Sequence, residues 1–210
     1  WVEPGSPPCA GGARRSKAAS GRSPLVFALP CPWTPLTRLF RKLQRLEDHI
    51  DVSVVHPLML ENGWEFRTEF DGATGDKLYG AEFLRQIYLR AEPAMTGRVT
   101  VPVLWDKERE TIVSNESAEI LRMLNSALGE VGALPGDFYP HRLRAEIDEL
   151  NEFVYPHINN GVYRAGFAGT QEAYDEAVIS LFDALDKLDA RLSTRRYLTG
   201  NTVTEADWRL

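Results

Sequence analysis

The stretch LVFALPCPWTPLTRLFRKLQRL, Leu25 to Leu46, decides how this 210-residue chain folds. Its first residues, Leu25 to Leu29, are apolar without a break and stop at Pro30, as in a strand buried on both faces. From there the apolar residues recur as Leu36, Leu39, Phe40, Leu43 and Leu46, the spacing of an amphipathic helix. Between the two elements sits Cys31-Pro32-Trp33, so the order is strand, tight connection bearing a thiol, helix. Pro32 suits the first helical position, where its missing N–H would have no partner anyway. A cysteine just before it meets free N–H groups and the positive end of the helix dipole, which favour a thiolate. Cys31 is therefore a candidate nucleophile with a depressed pKa; a buried structural cysteine is the alternative. Thr34 stands where a C-x-x-C motif has its second sulfur, so a mixed disulfide on Cys31 has to be resolved by an outside thiol.

Downstream, Val52 to Val55 forms a second strand, a polar, glycine-bearing connection runs from Pro57 to Gly80, and Ala81 to Arg90 reads as a helix with Phe83, Leu84, Ile87 and Tyr88 inward. Val99 to Trp105 and Thr111 to Val113 are strands joined by a charged turn, and Ser117 to Leu124 is a helix. The order βαβαββα over residues 25–125 is that of an α/β domain. Pro102 interrupts the third strand, where proline marks a strand start, an edge, a bulge or a cis bond. Glu116 and Ser117 open a helix whose N-terminus can receive a carboxylate while Glu116 meets an ammonium; Ser117 as a plain helix cap is the alternative.

Residues 126–138 read as a linker and 139–210 as an all-helical domain, with long helices over Ala145 to Val154 and Glu172 to Leu192. A last helix opens at Thr204-Glu205-Ala206-Asp207, a capping-box signal, with only Trp208, Arg209 and Leu210 after it. The expectation is a helical domain that continues past this chain. Residues 1–24, rich in Gly, Ser, Pro, Ala and Arg, read as a flexible tail that lacks the apolar core of a secretory signal. The net charge of −6 sits in an acidic body and argues against a nucleic-acid partner, and no apolar run reaches the roughly 18 residues of a membrane span. Two cysteines, Cys9 and Cys31, make neither a disulfide scaffold nor a four-ligand zinc site, so a reducing, cytoplasmic compartment is the default.

With these residues in place the chain resembles the glutathionyl-hydroquinone reductases, the Xi class of glutathione transferases, related to the Omega class. The similar blocks are R-K-L-x-x-L-E at Arg41 to Glu47, V-S-V-V-H-P-L-M-L-E-N-G-W at Val52 to Trp64, and Q-I-Y-L-R-A at Gln86 to Ala91. They continue as G-R-V-T-V-P-V-L-W-D at Gly97 to Asp106, N-E-S-A-E-I at Asn115 to Ile120, N-N-G-V-Y-x-A-G-F-A at Asn159 to Ala168, and L-T-x-x-x-x-T-E-A-D-W at Leu198 to Trp208. The resemblance implies a thioredoxin-like first domain and an incomplete glutathione transferase helical domain. In the thioredoxin fold a cis-proline lies beside the active cysteine and leaves the preceding backbone, here Val101, to pair with a peptide-like ligand.

The same resemblance implies glutathione as co-substrate, no metal, and a glutathione site built by Trp64, Arg98, Val101, Pro102, Glu116 and Ser117. Trp64 would cover the tripeptide, Arg98 would contact its carboxylate end, and Tyr163 would donate a hydrogen bond in the hydroquinone pocket. Partners would be glutathione and glutathionylated quinone-type molecules, with a homodimer in the intact family and neither nucleic acid nor membrane. His56 reads as structural. The implied activity is reductive deglutathionylation of glutathionyl-hydroquinones through a Cys31–glutathione mixed disulfide. An Omega-like thioltransferase or dehydroascorbate reductase, or a catalytically silent glutathione-binding module, are the alternatives. One departure stands out: the family follows C-P-W with A-H-R-T, whereas this chain has Thr34-Pro35-Leu36-Thr37. Pro35 in a helix that began at Pro32 would crowd the Cys31 carbonyl and disturb the first turn.

Overall fold

The computed structural model describes residues 19–210; Cys9 and most of the stretch expected as a tail lie outside the described residues. The first strand, β1 (Leu25–Ala28), is buried along its whole length. It pairs in parallel with β2 (Val52–Val55) and antiparallel with β3 (Val103–Asp106), which in turn pairs antiparallel with β4 (Thr111–Ser114), giving the order β2-β1-β3-β4. Val26 and Ala28 join Leu84, Ile87, Tyr88, Val103 and Trp105 in one core cluster, so this face of the sheet is covered by α2 (Leu84–Ala91). By the strand's alternation Leu25 and Phe27 point the other way, toward α1 (Pro35–Leu43), which packs with α3 (Ser117–Ala127).

Three boundaries differ from the sequence expectation, each because a distant partner outweighs the local pattern. The residues just before β1 are part of the domain: Gly21 N–H donates to His49 O at 2.7 Å, Lys107 N–H to Arg22 O at 3.1 Å, and Trp105 N–H to Pro24 O at 3.0 Å. Arg22 closes on Asp106 through two hydrogen bonds, 3.1 Å from Nε and 2.7 Å from a terminal nitrogen, and the Asp106 side chain is only 1% exposed. A carboxylate that deep needs a cation or donors, and composition alone cannot show where the cation comes from. The expected linker is likewise occupied at its start: α3 runs to Ala127, Leu128 is buried, and Leu134 N–H bonds Gln44 O at 3.0 Å. The boundary between the two compact units falls between Gly136 and Asp137. The strand expected from Val99 begins only at Val103, just after Pro102.

The long connection from Pro57 is fastened to the edge of β2. Thr74 Oγ1 accepts Val54 N–H at 2.9 Å, Lys77 N–H reaches Ser53 Oγ at 3.0 Å, and the Asp76 carboxylate gathers the N–H groups of Leu78, Tyr79 and Ala81, each at 2.9 Å. It re-enters a helix where Gln86 Oε1 accepts the N–H groups of Glu82 and Phe83, both at 2.8 Å, satisfying donors that a helix start leaves open.

The helical unit contains α4 (Arg144–Val154), a wide π turn over Tyr155–Asn159 closed by Asn160 N–H to Tyr155 O at 2.9 Å, α5 (Gly161–Gly166), α6 (Gln171–Leu192) and α7 (Glu205–Arg209). Its core joins Ile147, Leu150 and Val154 to Ile158, Leu181, Ala184, Leu188, Leu198 and Ala206. Asp207 is the answering acid at the start of α7: its carboxylate accepts Thr204 N–H at 2.8 Å and, from the preceding turn, Leu198 N–H at 2.7 Å. Among the described residues no helix is long and apolar enough to cross a membrane.

Two outcomes follow from these anchors. Asp207→Ala strands two backbone donors and should lower the stability of the helical unit by about 2 kcal/mol in denaturant titration, with Asp207→Asn recovering part of it; an unchanged midpoint would show the cap to be idle. Burial works to raise the Asp106 carboxyl, but hydrogen bonds from Arg22 and from the Arg109 and Glu108 N–H groups outweigh it and hold the group below the usual carboxylate range. A depressed folded-state pKa contributes stability above the unfolded value of about 3.9 and loses it as pH falls through the folded value. Stability followed below about pH 4 should therefore decline less steeply in Asp106→Asn than in the parent chain.

Candidate functional site

Cys31 lies three residues past the end of β1, where its N–H donates to Ala28 O at 3.4 Å. The helix that follows does not begin at Pro32. It begins at Pro35, with Thr34 as the flanking residue. Both prolines suit a first helical position, and Thr34 decides between them. Its hydroxyl contacts the Ala28 carbonyl and lies 2.8 Å from the Cys31 carbonyl, while its N–H reaches the same Cys31 carbonyl at 3.1 Å. A closed turn is complete before the helix starts. Pro35 then sits where an N–H is not needed, and the clash expected with the Cys31 carbonyl does not arise, because that carbonyl is outside the helix.

The position of the helix changes the chemistry of the thiol. Burial pushes the Cys31 thiol up; hydrogen bonds from the Trp33 and Thr34 N–H groups pull it down without reversing the direction. This direction is opposite to the depression expected from a helix start. The positive end of α1 lies beyond the cysteine, and Cys31 packs against the apolar cluster of the first unit.

Opposite the thiol is the segment leading into β3. The Val101–Pro102 bond is cis, and Cys31 Sγ lies 3.9 Å from Val101 O. Val101 is 5% exposed and belongs to the cluster on which Cys31, Trp64 and Val99 also pack. Trp64 is fixed from both sides along the chain: its carbonyl accepts Leu84 N–H at 2.9 Å, and the carbonyl of neighbouring Glu65 accepts His56 N–H at 2.8 Å. His56 serves its own loop, with Nδ1 accepting Leu58 N–H at 3.1 Å.

A brace that the sequence pattern did not reveal joins this segment to the start of α3. Tyr88 OH donates to Thr100 O at 2.8 Å, and Asn115 Nδ2 reaches Tyr88 OH at 3.3 Å and Thr100 Oγ1 at 3.4 Å. Helical periodicity placed Tyr88 inward as an apolar residue; its hydroxyl, which needs a partner when buried, was the available signal. Next in the chain, Glu116 rather than Ser117 is the residue flanking α3, exposed, with its N–H on Ser114 Oγ at 3.1 Å. Ser117 is the first helical residue and is buried. Arg98 is exposed, three residues before Val101. Cys31, Trp64, Arg98, Val101, Pro102, Glu116 and Ser117 thus all belong to the first unit, with Cys31, Trp64 and Val101 on one cluster. Tyr163 belongs to the helical unit, in α5, half-buried, its ring nearly parallel to that of Phe167 at 6.2 Å between centroids.

The glutathione S-transferase N-terminal domain family matches residues 30–127 and the C-terminal domain family matches residues 171–210. The structure of glutathione transferase Xi 1 from Trametes versicolor superposes with a TM-score of 0.88 at 47% identity, covering 96% of this chain and 70% of that one. The chain belongs to the Xi-class glutathione transferases. The glutathionyl-hydroquinone reductase YqjG of Escherichia coli K12 is 56% identical over 210 residues, a match that takes in 100% of this chain and 64% of that protein. The glutathione-bound structure of YqjG superposes with a TM-score of 0.90 at 59% identity, over 92% of this chain and 63% of that one. The chain therefore spans less than two thirds of the length of YqjG. The first unit is thioredoxin-like and the second is the glutathione transferase helical domain.

For this Xi-class chain the pKa direction has a direct readout. The pH profile of Cys31 alkylation should inflect above the free-thiol value of about 8.5, reactivity rising with pH as the buried thiol ionises. An inflection well below that value would show the helix dipole, not burial, in control.

Proposed function

We propose that this chain carries the glutathione-binding and nucleophilic part of a glutathionyl-hydroquinone reductase. The observation that supports it most is the lone thiol of Cys31 facing the Val101 carbonyl, 3.9 Å away, with no second cysteine in the turn. A monothiol beside a backbone edge suits a ligand that is both peptide and thiol, and glutathione is such a ligand. Its backbone would pair with Val101, its γ-glutamyl carboxylate would sit at the N-terminus of α3 by Ser117 with Glu116 near its ammonium, Trp64 would cover it, and Arg98 would meet its other carboxylate.

In the first step Cys31 thiolate attacks the sulfur of a glutathionyl-hydroquinone. A sulfur–sulfur bond forms and the sulfur–carbon bond breaks, its electron pair staying on the ring carbon, which takes a proton; the donor that the family resemblance implies is Tyr163. Hydroquinone leaves, reduced, and Cys31 is left as a mixed disulfide with glutathione. The thiolate of a second glutathione then attacks that disulfide, releasing glutathione disulfide and restoring the Cys31 thiolate. The step starts against burial, which pushes the Cys31 thiol up.

That same preference for the thiol, together with a helix that starts at Pro35, favours a second reading, a glutathione-binding module without turnover. One experiment separates them. The chain is assayed for hydroquinone release from a glutathionyl-hydroquinone and for reduction of a small mixed disulfide, and glutathione is titrated by calorimetry on the same preparation. Release that falls by about 10³-fold in Cys31→Ser and about 10²-fold in Tyr163→Phe supports the reductase. Release unaffected by Cys31→Ser sinks it, glutathione binding with no release supports the silent module, and activity confined to the mixed disulfide points to an Omega-like thioltransferase.

A further inference from the structure

The structure assigns Thr34 as the positioning residue of the Cys31 turn, a residue that ties the peptide planes next to the sulfur to the end of β1, where α1 begins too late to do so. The inference rests on the role proposed above for Cys31. Thr34 is 1% exposed, so its hydroxyl has to find partners inside the protein. Two carbonyls, those of Ala28 and Cys31, converge on it. Ala28 is the last residue of β1 and is held in register opposite Val55, so the hydroxyl ties the turn to the sheet and not to the helix. Thr34 N–H also bonds the Cys31 carbonyl at 3.1 Å, and Thr37 Oγ1 donates to Thr34 O at 2.9 Å, which fixes the residue from the helix side as well.

Trp33 and Thr34 are the residues whose backbone N–H groups work to lower the Cys31 thiol against its burial. Their direction is set by the peptide planes between Cys31 and Thr34, and those planes are what the Thr34 hydroxyl holds. A valine at this position would keep the shape and lose the hydroxyl. The one hydroxyl proton that the two carbonyls share would then be lost, leaving the turn held only by its backbone N–H groups and freer to change the direction of its amides, making the thiolate harder to form. A serine would keep the hydroxyl and lose only a methyl group.

The test uses the full chain with Cys9→Ser, which leaves Cys31 as the only thiol. Iodoacetamide alkylation is followed against pH for the parent, Thr34→Val and Thr34→Ser, with thermal midpoints measured alongside. Thr34→Val should move the inflection upward by about half a pH unit, or about threefold slower alkylation at a fixed pH below it, while Thr34→Ser stays with the parent. A Thr34→Val protein that titrates like the parent overturns the assignment even where its midpoint falls, since a residue that only stabilises the fold would move the midpoint alone. Should Thr34→Val not fold, Thr34→Ala against Thr34→Ser decides by the same criterion. A parent Cys31 that resists alkylation at every pH would instead overturn the nucleophile itself, so the two failures are told apart.

Discussion

The constraint on which this structure turns is that β1 must bond a strand on each side while burying a side chain on each face. Parallel pairing with β2 and antiparallel pairing with β3 use its backbone groups on both edges, and a strand so enclosed has to be apolar throughout. It must also end abruptly, because a chain that continued straight would carry Leu29 and Pro30 past the sheet. The thiol appears at that exit. Its neighbour across the gap, Val101, is placed by the same requirement, since it leads into the strand that pairs with β1. Thiol and facing carbonyl are therefore two consequences of one strand being central.

At that exit two influences on the sulfur compete. Proximity to a helix start favours a thiolate, whereas packing against the cluster of Val26, Tyr88 and Trp105 favours a thiol. The sequence Thr34-Pro35 shifts the balance. It completes a turn first and starts the helix afterwards, so burial prevails at the sulfur while local amides supply the opposing contribution.

Much of the first unit was legible before any coordinates. The unbroken run Leu25 to Leu29, the helical spacing after it and the proline at 102 each carry their meaning within a few residues, as does the acid at 207 in the helical unit. What escaped was decided at a distance or between equals. Arg22 stands in a glycine- and serine-rich stretch, and only the sheet brings Asp106 to it. Pro32 and Pro35 satisfy the same rule for a helix start, so the choice fell to a threonine hydroxyl whose partners, the carbonyls of Ala28 and Cys31, are backbone atoms and leave no trace in residue type. The Tyr88, Thr100 and Asn115 brace escaped for a related reason, as periodicity reads the ring of a tyrosine and not its oxygen.

The wide turn at Tyr155–Asn159 gives the helical unit a phase as well as a length. An α-helix rotates by about 100° per residue, and a turn that holds one residue more than usual resets that angle for everything after it. The apolar seam of α4 therefore cannot be extended by counting through to α5, and the azimuth of Tyr163 is set by the turn, not by its distance from Val154. Shortening the turn by one residue would keep every side chain of α5 and aim each of them elsewhere. Such a turn lets a chain acquire a new orientation for a tyrosine in a single insertion, with the packed helix before it left untouched.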